Sequence, residues 1–419
     1  MHRATAPSNA TGRTALAAPG PWTGCVVAAV LSALAIASAQ DYTQWRGSRG
    51  DGAASAFSVP ATWPQELKRK WKVTVGEGYS TPLLSGNVIY SFTRRKDREV
   101  MTALDAETGK ERWHSEYPAP YTPGQPASAH GAGPKATPLL SGGRLFTVGI
   151  SGIVAAFDAA TGQILWRLPA PAEAPFFGAA ASPVAAGGLV FTHPGDYGPL
   201  TAIDAASGSI KWTAGEGGFF ASPLVATLSG VNQVITVTQS SVIGVSIPDG
   251  AVLWNYAWPG GEGGTMPVLY GETVIVGGLN AGLAAFAPKL RNGKWTVEPA
   301  WTSKAATSYL SNPVIVGNTL YGFSRRASGQ FFALDAATGR KLWLGPPREA
   351  TNAAIVKAGE FVFFLKDDAE LIVARANPMH LQVVRRYQVA DAATWAQPVI
   401  SGKRMLIKDV TTLSMWTFE

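Results

Sequence analysis

Four stretches of this chain nearly copy one another, and a copied unit constrains a fold more tightly than any single segment. ALDAETGKERW runs from Ala103 to Trp113, AFDAATGQILW from Ala156 to Trp166, AIDAASGSIKW from Ala202 to Trp212 and ALDAATGRKLW from Ala333 to Trp343. In each, alternating apolar residues lead into an Asp, a Thr-Gly or Ser-Gly pair turns the chain, and a second short run ends on Trp. Tracking that Trp along the sequence gives Trp71, Trp113, Trp166, Trp212, Trp254, Trp301 and Trp343, with Tyr387 in the eighth place, at spacings of 42 to 53 residues. The motif is worn at Trp254 (GVSIPDGAVLW) and expanded before Trp301 and Tyr387.

A second marker keeps the same phase. A small or polar residue followed by Pro opens an apolar strand at Thr81, Thr137, Ser182, Ser222, Met266, Asn312 and Gln397, and Asn352 opens an eighth copy without the Pro. Each unit therefore reads as four short strands, here lettered A to D. Strand A follows the Pro, a Gly turn leads to B, C ends in the Asp motif and D ends near the Trp. Eight four-stranded antiparallel units of this size predict an all-β, eight-bladed propeller. After Gln397 only about three strands of chain remain, so ELKRKWKVTV around Trp71 is expected to supply the missing outer strand and close the ring. The expected organisation is a signal over 1–39, a lead-in over 40–65 and one propeller domain over 66–419.

The first residues carry Arg3 and Arg13, no acid, an apolar run from Cys25 to Ile36 and then ASA before Gln40. This is the pattern of a secretory signal cut after Ala39, and the run is too short for a membrane span. The expected product is periplasmic or secreted, without an integral membrane segment, and a monomer. Its only Cys, Cys25, would leave with the signal. Disulfides, thiolate catalysis, Fe–S clusters and attached c-type haem are then excluded together. The mature net charge of about +5 is mild and spread out, unlike a nucleic-acid footprint.

Within the motif every residue has a structural task. Asp105, Asp158, Asp204 and Asp335 can accept backbone N–H bonds two residues on, and Gly109, Gly162, Gly208 and Gly339 supply the positive φ of the turn. The Trp can pin one blade on the next while its indole N–H finds an acceptor. The repeat is read as a blade-building device.

A propeller built on A-x-D-x-x-T-G-x-x-x-W resembles the pyrroloquinoline-quinone repeat family over nearly the whole mature chain. The lead-in QWRGSRGDG, Gln44 to Gly52, also looks like the start of its exported members. The Gly-His and Trp-Asp marks of WD40 propellers are missing. Two functions follow from the resemblance. Similarity to the propeller lipoprotein of outer-membrane assembly implies a non-enzymatic scaffold that binds an envelope protein or peptide and needs no cofactor. That relative is anchored through an N-terminal Cys, which this mature chain lacks. The alternative is a quinoprotein dehydrogenase of alcohols or sugars, with pyrroloquinoline quinone near the axis between a Trp and a disulfide of adjacent cysteines. Such enzymes use a Ca²⁺ held by acidic and amide side chains, with an Asp as base.

No separate catalytic constellation stands out. His114, His130, His193 and His380 are scattered without metal spacing, Asp367-Asp368 reads as a hairpin tip, and Arg49-Gly50-Asp51 lies in a Gly-rich lead-in. Propeller topology places the D-to-A and B-to-C loops on one face, where long or charged loops concentrate function. The candidates there are Arg94, Arg95 and Lys96 in TRRKDR (Thr93 to Arg98), Arg325 and Arg326 in SRRASG, Tyr121 and His130 in the longest D-to-A loop, and Phe219 and Phe220 in GEGGFF. The arginines read as solvated hairpin tips, with a basic rim for an acidic peptide or anionic saccharide as the functional alternative. A weaker alternative is saccharide binding by Tyr121 and Phe219.

Overall fold

The computed structural model describes residues 1–2, 41–218, 220–259 and 264–419. The signal expected over 1–39 and Phe219 lie outside the described residues. From Lys68 onward the chain forms eight four-stranded antiparallel sheets, each running A-B-C-D from the axis outward. This is the eight-bladed propeller that the repeat predicts. Blade 1 holds Leu83–Ser85, Val88–Arg95, Arg98–Asp105 and Glu111–Pro118. In blade 8 the three C-terminal strands, Val399–Ser401, Arg404–Lys408 and Thr412–Thr417, are completed by Lys68–Thr74 from the other end of the chain, paired Trp71 to Met415 and Thr74 to Thr412. That pairing removes the edge an open ring would expose.

The repeat residues explain how the blades stay together. Asp105 Oδ1 accepts from the Glu107 and Thr108 amides and the Thr108 hydroxyl at 2.9–3.1 Å. Asp158, Asp204 and Asp335 repeat this set at their own turns. The turn Gly must lie flat because the Trp of the preceding blade covers it. A Cβ on Gly162 would sit 2.4 Å from Trp113, and one on Gly339 2.3 Å from Trp301. The same indoles donate to the following blade: Trp71 to Ala106 O (3.0 Å), Trp166 to Ala205 O (3.2 Å), Trp212 to Ile247 O (3.0 Å), Trp301 to Ala336 O (3.1 Å) and Trp343 to Asn377 O (3.0 Å). Trp254 breaks the rule by donating to Gln233 Oε1 of its own blade (2.6 Å). Its partner turn in blade 5 is replaced by the long hairpin Gly282–Arg291 to Lys294–Ser303.

The residues before the prolines form a second ring, nearer the axis. The Gln397 amide donates to Thr81 Oγ1 (3.0 Å), Thr81 N to Thr137 Oγ1 (3.3 Å), Thr137 N to Ser182 Oγ (2.9 Å) and Ser182 N to Ser222 Oγ (2.9 Å). Met266 N donates to Asn312 Oδ1 (2.7 Å). Each innermost strand faces the axis with an edge, and this ring together with the Pro, which has no N–H, leaves little of that edge free to recruit another strand.

The lead-in crosses the axis at the end where strands A turn into B. Tyr42 bridges Leu84 of blade 1, Thr43 O accepts from Leu140 of blade 2, Ala53 bridges Lys357 of blade 7 and Ser55 bridges Ser401 of blade 8. Arg46, fully buried, donates to Gly50 O (3.2 Å) and to Pro313 O of blade 6 (2.7 Å). Phe57 and Trp63 then pack on Phe361, Phe363 and Phe418. No helix among the described residues is long and apolar enough to cross a membrane.

Candidate functional site

Because every blade hands over to the next from outside to inside, all eight D-to-A connectors converge on one face. They surround an axial cavity of about 640 Å³. Its walls are aromatic: Tyr79, Phe177, Phe220, Tyr309 and Trp395 come from five connectors, and Trp45 reaches it from the lead-in. His130 stands edge-on to Trp395, with ring centroids 4.6 Å apart.

Two cations share this space. Lys135 donates from Nζ to the Phe177 carbonyl. Arg325 holds its guanidinium 5.2 Å from the centroid of the Tyr309 ring, a cation–π pair. Burial lowers the Lys135 pKa, and burial followed by the charge of Lys135 lowers that of His130. The His130 imidazole is therefore held toward its neutral form. Asp196, behind Phe177, accepts from the Phe177 amide (3.1 Å) and is pushed up by burial.

Two amides complete the wall. Asn312 spends its Oδ1 on the Met266 amide, and Asn352 spends its own on the Ser311 hydroxyl (2.7 Å). Those bonds fix the orientation of both side chains and leave the Nδ2 donors to the cavity.

Of the candidates named from sequence, His130, Phe220 and Arg325 line this cavity. Tyr121 instead donates to Pro175 O (2.9 Å), tying two connectors together. Arg95 donates to Val75 O (3.0 Å) and Lys96 is an exposed hairpin tip with φ 58°. Arg326, also exposed, donates to the Lys304 carbonyl. One expectation is corrected. Thr93–Arg98 is not a loop, because strands Val88–Arg95 and Arg98–Asp105 leave only Lys96 and Asp97 between them. Arg94 thus lies within a strand opposite Glu99, is 6% exposed, and donates to Ala119 O (2.8 Å). It serves a buried polar group centred on Glu99, which accepts from Tyr117 Oη (2.8 Å) and Ile150 N (2.6 Å). It does not face a partner.

The sequence reading missed Trp45, Tyr79, Lys135, Phe177, Asn312, Asn352 and Trp395. A signal for the two amides was present. They occupy the position before strand A that the second repeat marks, where blades 1 to 4 carry Thr or Ser.

The cavity does not suit a calcium-bound quinone. Calcium takes six to eight oxygen ligands, carboxylates foremost. Among the described residues lining the cavity, none is Asp or Glu. Among the described residues no group of three or more His, Cys, Asp or Glu could hold a metal ion.

Comparison with known proteins agrees with the architecture. The profile of a family described as outer membrane protein assembly factor BamB matches residues 96–345. The BamB protein of Yersinia pestis is 25% identical over 312 residues, covering 73% of this chain and 66% of that protein, so the match spans just under two thirds of the relative. The serine/threonine-protein kinase AfsK of Streptomyces griseus is 31% identical over 150 residues, 35% of this chain and 17% of the kinase. Among solved structures, BamB from Moraxella catarrhalis superposes with a TM-score of 0.61 at 17% identity, over 84% of this chain and 98% of that one. A quinohemoprotein alcohol dehydrogenase from Comamonas testosteroni reaches 0.63 at 13% identity, over 92% and 82%. At such identities these two structures share the fold alone. The family match is what carries membership: the chain belongs to the PQQ-like propeller repeat family described as outer membrane protein assembly factor BamB.

Proposed function

We propose that this protein is a non-enzymatic scaffold of the bacterial cell envelope, acting in the periplasm as a monomer that binds protein partners during outer-membrane protein assembly. Its binding surface is the connector face. The observation that carries this reading is the set of exposed apolar side chains there: Phe176 is 51% exposed, Tyr197 56% and Leu310 37%. Such aromatics on a rigid ring have the composition of interface anchors. Membership of a family described by its assembly role supports the same reading.

The test is complementation in a strain that lacks the protein and shows reduced outer-membrane barrel content. Wild-type chain should restore it, Phe176→Asp with Tyr197→Asp should not, and Ile210→Asp, an exposed change on the outer strand of blade 3, should. Full restoration by the double variant would refute the face assignment. N-terminal sequencing of the exported product should begin at Gln40.

A further inference from the structure

Most of the available side-chain polarity in the axial cavity donates hydrogen bonds. Lys135, Arg325 and the Nδ2 groups of Asn312 and Asn352 all point to a ligand that accepts, and two of the four carry positive charge. Among the described residues, the ion pairs, from Arg49–Asp51 to Arg404–Glu107, include neither Lys135 nor Arg325. Asp196 accepts the Phe177 amide and lies close enough to Lys135 for its charge to oppose the burial-driven lowering of that lysine's pKa, while Asp367 accepts the Thr351 hydroxyl and Asp409 the Thr411 and Thr412 amides. Flat faces at Trp45 and Trp395 complete the set. A cavity of about 640 Å³ is in the range that encloses a small molecule.

We infer that this cavity is a binding site for an acidic saccharide of one to three rings, with its carboxylate on Lys135 and Arg325, its hydroxyls on the two amides, and a ring face against Trp395 or Trp45. An extended peptide is disfavoured by the backbone. Peptides are captured by adding a strand to a free edge, whereas five of the innermost-strand entry amides here are bonded to side chains of neighbouring blades. What remains is side-chain donors and ring faces, which match sugar oxygens and the C–H faces of a pyranose. The site lies inside the ring, and its ligand binding is measured without any protein partner on the rim.

Calorimetry and tryptophan fluorescence on the purified full chain test this with three probes: trigalacturonate, neutral maltotriose and a triglutamate peptide. Trigalacturonate should bind saturably with one site, quench fluorescence and weaken in about 0.5 M salt. Arg325→Gln and Lys135→Gln should each weaken it about tenfold, the size of one charge-assisted hydrogen bond. Arg325 is exposed, so its variant tests the charge without disturbing folding, and an unchanged unfolding midpoint verifies that. Absence of saturation up to about 10 mM, a weak-binding limit, overturns the proposal. So does equal binding of the neutral sugar, tighter binding of the peptide, or indifference to both substitutions.

Discussion

Gly162 and Gly142 look alike by backbone angle, with φ of 77° and 57°, yet they hold different positions. A Cβ at Gly142 meets nothing within 4 Å, while one at Gly162 would enter the Trp113 ring. Gly142→Ala should therefore cost only the left-handed backbone penalty, about 1 kcal/mol. Gly162→Ala adds displacement of a blade-locking indole and should cost about 3 kcal/mol in urea unfolding. The aspartates of these turns set an acid limit as well. Bonds from Arg112 and Thr108 lower the Asp105 pKa to about 2, and turn hydroxyls and amides lower those of Asp158 and Asp204. A folded pKa below the unfolded one means that the unfolded chain binds more protons. Their stabilisation is complete above about pH 4 and is lost as pH falls through the folded values. Melting temperature followed from pH 6 to 2 should drop less steeply in Asp105→Asn than in the parent chain.

The strand Lys68–Thr74 and the connector after it form the seam of the ring, and Lys408 is its fastener. Only 1% exposed, its Nζ lies 2.6–3.2 Å from the carbonyls of Gly76, Gly78, Asp409 and Val410. Burial lowers its pKa to about 7, and the negative charges of Asp409 and Glu77 oppose that shift by favouring the ammonium. Lys408→Met leaves those four carbonyls unmet and should lower stability by about 2–4 kcal/mol. Val73→Pro, which ends the pairing with Leu413, should instead let protease cut the N-terminal strand while blades 2 to 6 stay resistant. The seam strand was legible because the C-terminus falls one strand short of a blade. The path of residues 41–63 was not, since that segment occurs once and its contacts are to seven different blades. Trp45 and Arg46 acquire their meaning only from where the finished ring places them.

Over the whole molecule, seven phased Trp with Tyr387 in the eighth place, and eight phased strand starts, were enough to read blade number, strand order and closure. Repetition turns weak local signals into one strong one. The site escaped that logic because it is assembled from what does not repeat. Lys135, Phe177 and Trp395 sit in connectors of unlike length and composition, and only the ring brings them within reach of one another. Charge misled at Arg94, where an Arg-rich run read as a loop continued as a strand and turned one guanidinium inward.

The lead-in laid across the axis makes the ring a cup with one mouth. A guest in the cavity and a protein on the rim must then use the same doorway. Each alters the other's affinity by the same factor, whether by obstruction or by contact. Measured together, a sugar acid and a docked partner should report a single shared coupling, and its sign would tell whether the cup is read when full or when empty.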